Sequence, residues 1–479
     1  MYWTTILAHD LRLAMDASTT EEHSLTPDQR SALSVACREL IDGATFHLAV
    51  GSLNQTLRRR VLTAEVMCLA IIHLVVAQCR SLLHVIDELR LGTVVPGEEF
   101  EVTGAAFYKR MRVLKHELFL NVLREVTKTL DGRGGPVREN IRALAPFATR
   151  ICALDDTTLD ALTRRTEVLK SVAPSSTALL AGRLGCLIDL TTQRFVEVLY
   201  DSDPAANEKS HLVPLIENLP PGALLVMDLG YFAFPLFDVI TKKEQFFISR
   251  MRKKTTYRVV RKGADTRLYR DSLIELGVHR ADRAAHPVRL VELFIDGQWH
   301  QYITNVLQPE RLRADAIWQL YKHRWTIEKA FAALKRALGA AWLHCCHQNG
   351  FLLQIWATLT VYQVLQALRL DAAASRKMDV EEISWVNLLR RVSMYASSPI
   401  AGTTLRSWLC DPRRELYLAK RGVRQHSRQG LDPPLIADIR AFATEWDTPP
   451  PRKPRQGKPE PRTKKSEVII AHLLPTPVK

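Results

Sequence analysis

Apolar residues recur at three- and four-residue intervals through the first 145 or so positions, and the stretches 63–90 and 104–130 run without proline. Such spacing predicts amphipathic helices and an all-helical N-terminal region. The segment 66–77 is strongly apolar but contains His73, is bounded by Glu65 and Gln78, and is shorter than the roughly 20 residues of a membrane span. It reads as a buried helix. The apolar stretch 351–368 is interrupted by Gln354, Gln363 and Gln366, and the first fifteen residues carry Asp10 without a basic start. Neither a membrane span nor a secretory signal is expected.

Gly132, Gly134, Gly135 and Pro136 mark a linker, and beyond it the pattern changes. Short strand-like runs at 151–154, 185–190 and 195–200 precede a helix at 211–219, closed by Pro220-Pro221-Gly222. Five consecutive apolar residues at 223–227 then suit a parallel strand buried on both faces. The order is β-β-β-α-β. Strand signals return at 246–249, 256–260, 288–295 and 299–306, with Asp296-Gly297 as a hairpin turn. Alternation along 257–260 would place several cations on one exposed face. Residues 314–338 read as one helix, followed by a smaller helical bundle.

The chain has 66 Lys+Arg against 51 Asp+Glu, a net charge of +15. Residues 241–290 hold 14 Lys/Arg and 5 Asp/Glu, and residues 449–466 hold 7 and 1, so these two stretches account for the whole excess. Charge concentrated in this way implies a polyanionic partner. Val102-Thr-Gly-Ala-Ala-Phe-Tyr-Lys-Arg-Met-Arg112 offers Tyr108, Lys109, Arg110 and Arg112 as a possible DNA-reading helix. Eight cysteines lack paired spacing, as a reducing compartment permits. His344-Cys345-Cys346-His347 offers four metal-ligating groups, but adjacent cysteines lack the spacing with which two thiolates meet one zinc, so local packing is expected.

Asp155 and Asp228 each follow a strand run, where side chains emerge at the carboxyl ends of neighbouring parallel strands. A third acid, Glu328, sits within the 314–338 helix. At about 100° per residue, Tyr321, Arg324, Glu328 and Lys335 share an arc of roughly 60°. Three carboxylates about 5 Å apart repel by roughly 3 kcal/mol per pair at an effective dielectric near 20, a conflict that a divalent cation removes.

The pattern Tyr321-x2-Arg324-x3-Glu328-x6-Lys335 resembles the YREK signature of the insertion-sequence-four group of DDE transposases at every spacing. Asp155-Asp-Thr-Thr-Leu159 and Asp228-Leu-Gly-Tyr231 are similar to the boxes around that group's two aspartates, and Phe247-Ile-Ser-Arg250 and Tyr302-Ile-Thr-Asn305 to strands bounding its inserted β region. The first box departs from the pattern at Asp156, where a small residue is usual. Asp155 is favoured as the ligand because Asp156 alternates to the other side of an extended strand. Asp189, Asp201 and Asp203 rank below it.

The resemblance implies an α/β fold with a ribonuclease-H-like core interrupted by a β-strand-rich insertion, flanked by helical N-terminal and C-terminal regions. The expected units are a helical DNA-binding region at 1–145, the core at 146–239 and 309–370, the basic insertion at 240–308, a helical region at 371–448 and a disordered tail at 449–479. It implies metal-dependent cleavage at element ends and strand transfer into target DNA. Asp155, Asp228 and Glu328 would hold two Mg2+ or Mn2+ ions, which suit oxygen-only ligation. Tyr321, Arg324 and Lys335 would grip phosphates, and Arg250, Arg252, Lys253, Lys254, Arg258 and Arg261 would hold DNA. Trp299 and Tyr302 could stack on an unpaired base. The expected setting is bacterial, cytoplasmic and nucleoid-associated, with two chains pairing two inverted terminal repeats. A Mg2+-dependent nuclease of the same fold, or a domesticated DNA-binding protein, are the alternative readings.

Overall fold

The computed structural model describes residues 61–77, 79, 81–95, 98–340 apart from 161–179, 343–345, 347–397, 405–411, 430–442, 451–452 and 467–474. Its centre is a ten-stranded sheet. The strands are β1 (Ile151–Asp160), β2 (Leu180–Asp189), β3 (Phe195–Asp201), β4 (Leu224–Met227), β5 (Phe246–Arg250), β6 (Tyr257–Asp265), β7 (Tyr269–Leu276), β8 (Val288–Ile295), β9 (Gln298–Thr304) and β10 (Val468–His472). They lie in the order β10-β3-β2-β1-β4-β5-β9-β8-β7-β6. Antiparallel pairing joins β1 to β2 and β2 to β3, whereas β4 runs parallel to both β1 and β5. That succession, with the helix Glu208–Leu215 crossing between β3 and β4, is the ribonuclease-H-like arrangement that the β-β-β-α-β order predicts.

Alternation sorts the central strands between two cores. Ile151, Ala153, Leu224 and Val226 pack with the helices Ala64–Val76, Glu117–Gly132 and Gln348–Ser375 on one face. Cys152, Leu154, Leu225 and Met227 pack with Leu212 and Phe237, from the helices Glu208–Leu215 and Phe234–Lys242, on the other. Both faces of the strands are apolar because both are covered. The 28-residue helix Gln348–Ser375 is long and apolar enough to cross a membrane by length and composition, but 94% of its most apolar window lies inside the protein. Its glutamines serve the interior: Gln363 accepts from the Phe195 N–H at 3.1 Å and donates to the Phe195 carbonyl at 2.8 Å.

Several elements depart from the sequence expectation. The helical stretch 63–90 divides into Ala64–Val76 and Leu82–Arg90, with Ser81 capping the second, and 104–130 divides into Gly104–Val113 and Glu117–Gly132. Strand β7 falls in a stretch without an assigned strand, and β6 runs on to Asp265. Rather than a face of cations, β6 is an edge strand with Arg258, Val259 and Val260 all exposed. The strands β6 to β9 continue the central sheet outward from β5. The tail is not disordered throughout: β10 pairs antiparallel with β3 from Val468↔Asp201 to His472↔Glu197. Its Val-Ile-Ile run supplies the β-branched residues that fit a half-buried edge. Residues 1–60 and 453–466 lie outside the described residues.

Candidate active site

The parallel register of β1 and β4 ends at Leu154↔Met227, so Asp155 and Asp228 are the next residues on two strands spaced about 4.8 Å apart. Alternation fixes where they point. Both continue the series Ile151, Ala153 and Leu224, Val226, which faces the core containing Ile327, Ala330 and Phe331 of the helix Thr326–Ala332. Glu328 lies in the first turn of that helix. Three residues far apart along the chain are thereby gathered at one edge of the sheet face.

Arg324 ties them together. It is 5% exposed, and its guanidinium lies 3.3 Å from Asp155 Oδ2 and 2.9 Å from Glu328 Oε1. The Tyr321 hydroxyl donates to Asp228 Oδ1 at 3.4 Å, a long bond. Burial pushes the Asp155 carboxyl up to about 7; Arg324 opposes that rise, while Glu328 and Asp228 add to it. Burial likewise raises Glu328, with Arg324 opposing. Arg324 itself is disfavoured by burial, but the carboxylates of Asp228, Asp155 and Glu328, together with Tyr321, outweigh this and raise its pKa. The site is thus a concentration of negative charge balanced by one buried guanidinium.

The continuous 314–338 helix is corrected here. The structure has a helix Ala314–His323, a break at Arg324-Trp325, a helix Thr326–Ala332 and a π-helical turn Ala333–Ala337. The break directs Arg324 between the acids and leaves Trp325 46% exposed beside it, with the guanidinium 5.2 Å from the indole centroid. The π turn carries Lys335 away from an ideal stripe; it lines a small cavity with Thr157, Leu159 and Leu184. Irregular turns of this kind are frequent at functional sites.

Asp156 points the other way, as alternation requires. Its side chain is 0% exposed and meets Arg183 Nε at 3.0 Å, His211 Nδ1 at 2.6 Å and the Tyr231 hydroxyl. His211 Nε2 in turn reaches Asp201 Oδ2 at 3.1 Å. Burial disfavours the charged His211 imidazole, but its bonds and attraction to Asp156 and Asp201 outweigh that and raise its pKa. This network ties β1 and β3 to the Glu208–Leu215 helix and to Tyr231 of the Asp-x-Gly-Tyr box. Only Tyr231 carried a sequence signal for it; nothing around His211 did. Asp189 pairs with Arg150 at 2.9 Å, and Asp203 accepts from the Ala205 N–H, so these two, like Asp201, lie apart from the carboxylate group.

The basic candidates are distributed unevenly. Arg252 donates to the Leu229 carbonyl at 3.0 Å, directly beside Asp228, and its guanidinium stands 5.3 Å from the Phe232 ring centroid. Arg250, Lys253 and Lys254 are exposed on the same turn, Lys254 in the left-handed region at φ 63°. Trp299 is half-buried opposite Phe294, with Arg270 4.4 Å from its ring centroid. Tyr302 is only 4% exposed and packs on Tyr321 at 5.3 Å between ring centroids, so it forms part of the site floor instead of an open stacking platform. On the Gly104–Val113 helix, Tyr108, Lys109 and Arg112 are exposed and Arg110 is half-buried.

Hard divalent cations fit this donor set, since the acids supply oxygen alone. The neighbouring thiol of Cys186, opposite Asp155 on β2, is held protonated by burial and by Asp156 and Asp155. At His344–His347 the side chains pack locally: Cys345 places its sulfur 3.8 Å from Met111, and His347 caps a helix by accepting from the Gly350 N–H. Cys346 lies outside the described residues.

Residues 147–364 match the family model "Transposase DDE domain", a span that includes Asp155, Asp228 and Glu328. The chain is similar to a solved piggyBac transposase synaptic complex with hairpin DNA at 10% identity and a TM-score of 0.37, over 82% of this chain and 87% of that one. No curated protein matches it. The stretch 147–364 of this chain therefore matches a transposase DDE domain.

Proposed function

We propose that this protein is a cut-and-paste transposase of the insertion-sequence-four kind, with Asp155, Asp228 and Glu328 as its metal-holding acids. The observation that carries the reading is the meeting of these acids around Arg324 on one face of a ribonuclease-H-like sheet. Two ions, Mg2+ or Mn2+, held there would polarise the phosphodiester and lower the pKa of an attacking water or 3′-hydroxyl.

The chain's own residues do the rest. Asp155 and Asp228 project from strand ends fixed by the register of a buried sheet, so their spacing needs no reorganisation. Glu328 approaches from the helix after the Arg324-Trp325 break. The Tyr321 hydroxyl orients Asp228 from below. Arg324 balances the acids and, with DNA present, can offer its guanidinium to a phosphate as a two-toothed donor. Arg250, Arg252, Lys253 and Lys254 on the turn beside Asp228, together with Lys335, hold the backbone of the element end, and the half-buried Trp299 is the stacking candidate. In the first step water attacks the phosphorus at the element end and the 3′-hydroxyl leaves. In the second that hydroxyl attacks a target phosphodiester, displacing a target 3′-oxygen. Two chains acting on two ends complete the assembly.

The test uses labelled DNA ending in the inverted repeats expected to flank the gene, with Mg2+ and a supercoiled target. Wild-type protein is expected to cleave and join, while Asp155→Asn, Asp228→Asn and Glu328→Gln each lose about 10² to 10⁴ in rate, the loss of several kcal/mol of transition-state stabilisation. Cleavage without joining would make the enzyme a nuclease; full activity in Glu328→Gln would overturn the assignment.

A further inference from the structure

A second ligand set lies in the helical N-terminal region, outside the transposase domain. The helix Ala64–Val76 is apolar almost throughout, and His73 is the polar side chain buried on it, at 2% exposure. Across the turn stands the helix Leu82–Arg90, from which Glu88 is buried to the same degree. Cys79, buried in the connection between them, is a reduced thiol. One donor atom each from His73, Cys79 and Glu88 lie within 4.8 Å of one another. His73 Nε2 meets Glu88 Oε2, and His84 Nε2, one helical turn before Glu88, stands 2.7 Å from Glu88 Oε1.

We propose that His73, Cys79 and Glu88 form a zinc site that clamps the two helices together, with His84, which stands outside that group of three beside Glu88, turning in as the fourth ligand. Imidazole, thiolate and carboxylate are the donors zinc takes in tetrahedral sites. The spacing, His-x5-Cys-x4-His-x3-Glu, sets two ligands one turn apart on one helix, one at the end of the preceding helix and one in the loop. His84, with its side chain 43% exposed, is the outermost ligand and gives the ion a route from solvent. His73 Nδ1 is buried without a hydrogen-bond partner among the described residues, which leaves that ring nitrogen available to an ion. Binding would release the Cys79 thiol proton, so affinity rises with pH. The ion would fasten a hairpin that packs beneath the Gln348–Ser375 helix.

The test is metal analysis of the full chain carrying Glu328→Gln, so that the acids of the transposase site bind less metal, followed by exchange into Co2+. One equivalent of zinc is expected to survive dialysis, and the cobalt form is expected to show tetrahedral d–d bands with a thiolate-to-cobalt charge-transfer band. Cys79→Ser should abolish that last band. His84→Ala, at an exposed position that leaves folding intact, should weaken zinc at least about tenfold, since even outer partners of a metal ligand are worth about 10- to 100-fold. Zinc content no higher than in Cys79→Ser, or a cobalt spectrum without the thiolate band, would leave only the His73–Glu88 pair and overturn the proposal.

Discussion

At the scale of single residues, the neighbouring aspartates Asp155 and Asp156 divide two tasks by pointing to opposite faces of β1. Asp156 is enclosed by Arg183, His211 and Tyr231, so removing its charge leaves cationic groups facing a buried neutral side chain. Asp156→Asn is expected to cost about 3 kcal/mol in denaturant unfolding, the order found when a buried pair loses one member, with metal binding at the other face retained. Asp155→Asn should behave inversely. Its folded-state pKa is raised to about 7, so as pH climbs from the unfolded value near 4 through 7 the carboxylate increasingly destabilises the metal-free fold. At pH 8 the metal-free variant should therefore melt above wild type while losing catalysis; a lower melting temperature would contradict the burial argument. That the two acids face opposite ways was legible from strand alternation alone. The partners of Asp156 were not, because His211, Arg183 and Asp201 meet it only through tertiary packing and carry no spacing signal.

At the scale of elements, the order β-β-β-α-β could be read from the sequence because strands buried on both faces leave uninterrupted apolar runs. The broken helix could not. The angular stripe of Tyr321, Arg324, Glu328 and Lys335 assumes ideal geometry, whereas the site requires the turn at Arg324-Trp325 and the π turn after Ala332. Strand β10 was hidden for another reason: five residues following a proline-rich basic stretch have no periodicity of their own, and their pairing with β3 crosses more than 250 residues of sequence. Its docking has a pH dependence. Burial raises Glu197 to about 7, opposed by His472, and the hydrogen bond to Glu197 raises His472. The raised Glu197 costs stability as pH rises from near 4.5 toward 7, and the contribution of a protonated His472 fades as pH rises from near 6.5 through its raised folded value. Amide protection of 468–472, corrected for intrinsic exchange, should thus fall between pH 6 and pH 8. Glu197→Gln should flatten the change; an unaltered profile in that variant would remove the pair as its cause.

At the scale of the whole molecule, positive charge meets the carboxylate group at the turn after β5, where Arg252 is bonded to the residue following Asp228. Replacing Arg252, Lys253 and Lys254 together by Ala should lower the slope of log affinity against log salt by about 2 to 3, roughly 0.9 for each lost phosphate contact, and weaken binding across sequences alike. An unchanged slope would move the DNA path elsewhere. The central claim is that Asp155, Asp228 and Glu328 jointly hold the divalent ions, and Mn2+ binding to the DNA-loaded protein, followed by paramagnetic resonance, tests it most directly. Wild type and Asp156→Asn should bind Mn2+ alike, whereas Asp155→Asn, Asp228→Asn and Glu328→Gln should each bind less tightly or lose an ion. Equal Mn2+ binding by Glu328→Gln and wild type would contradict the account.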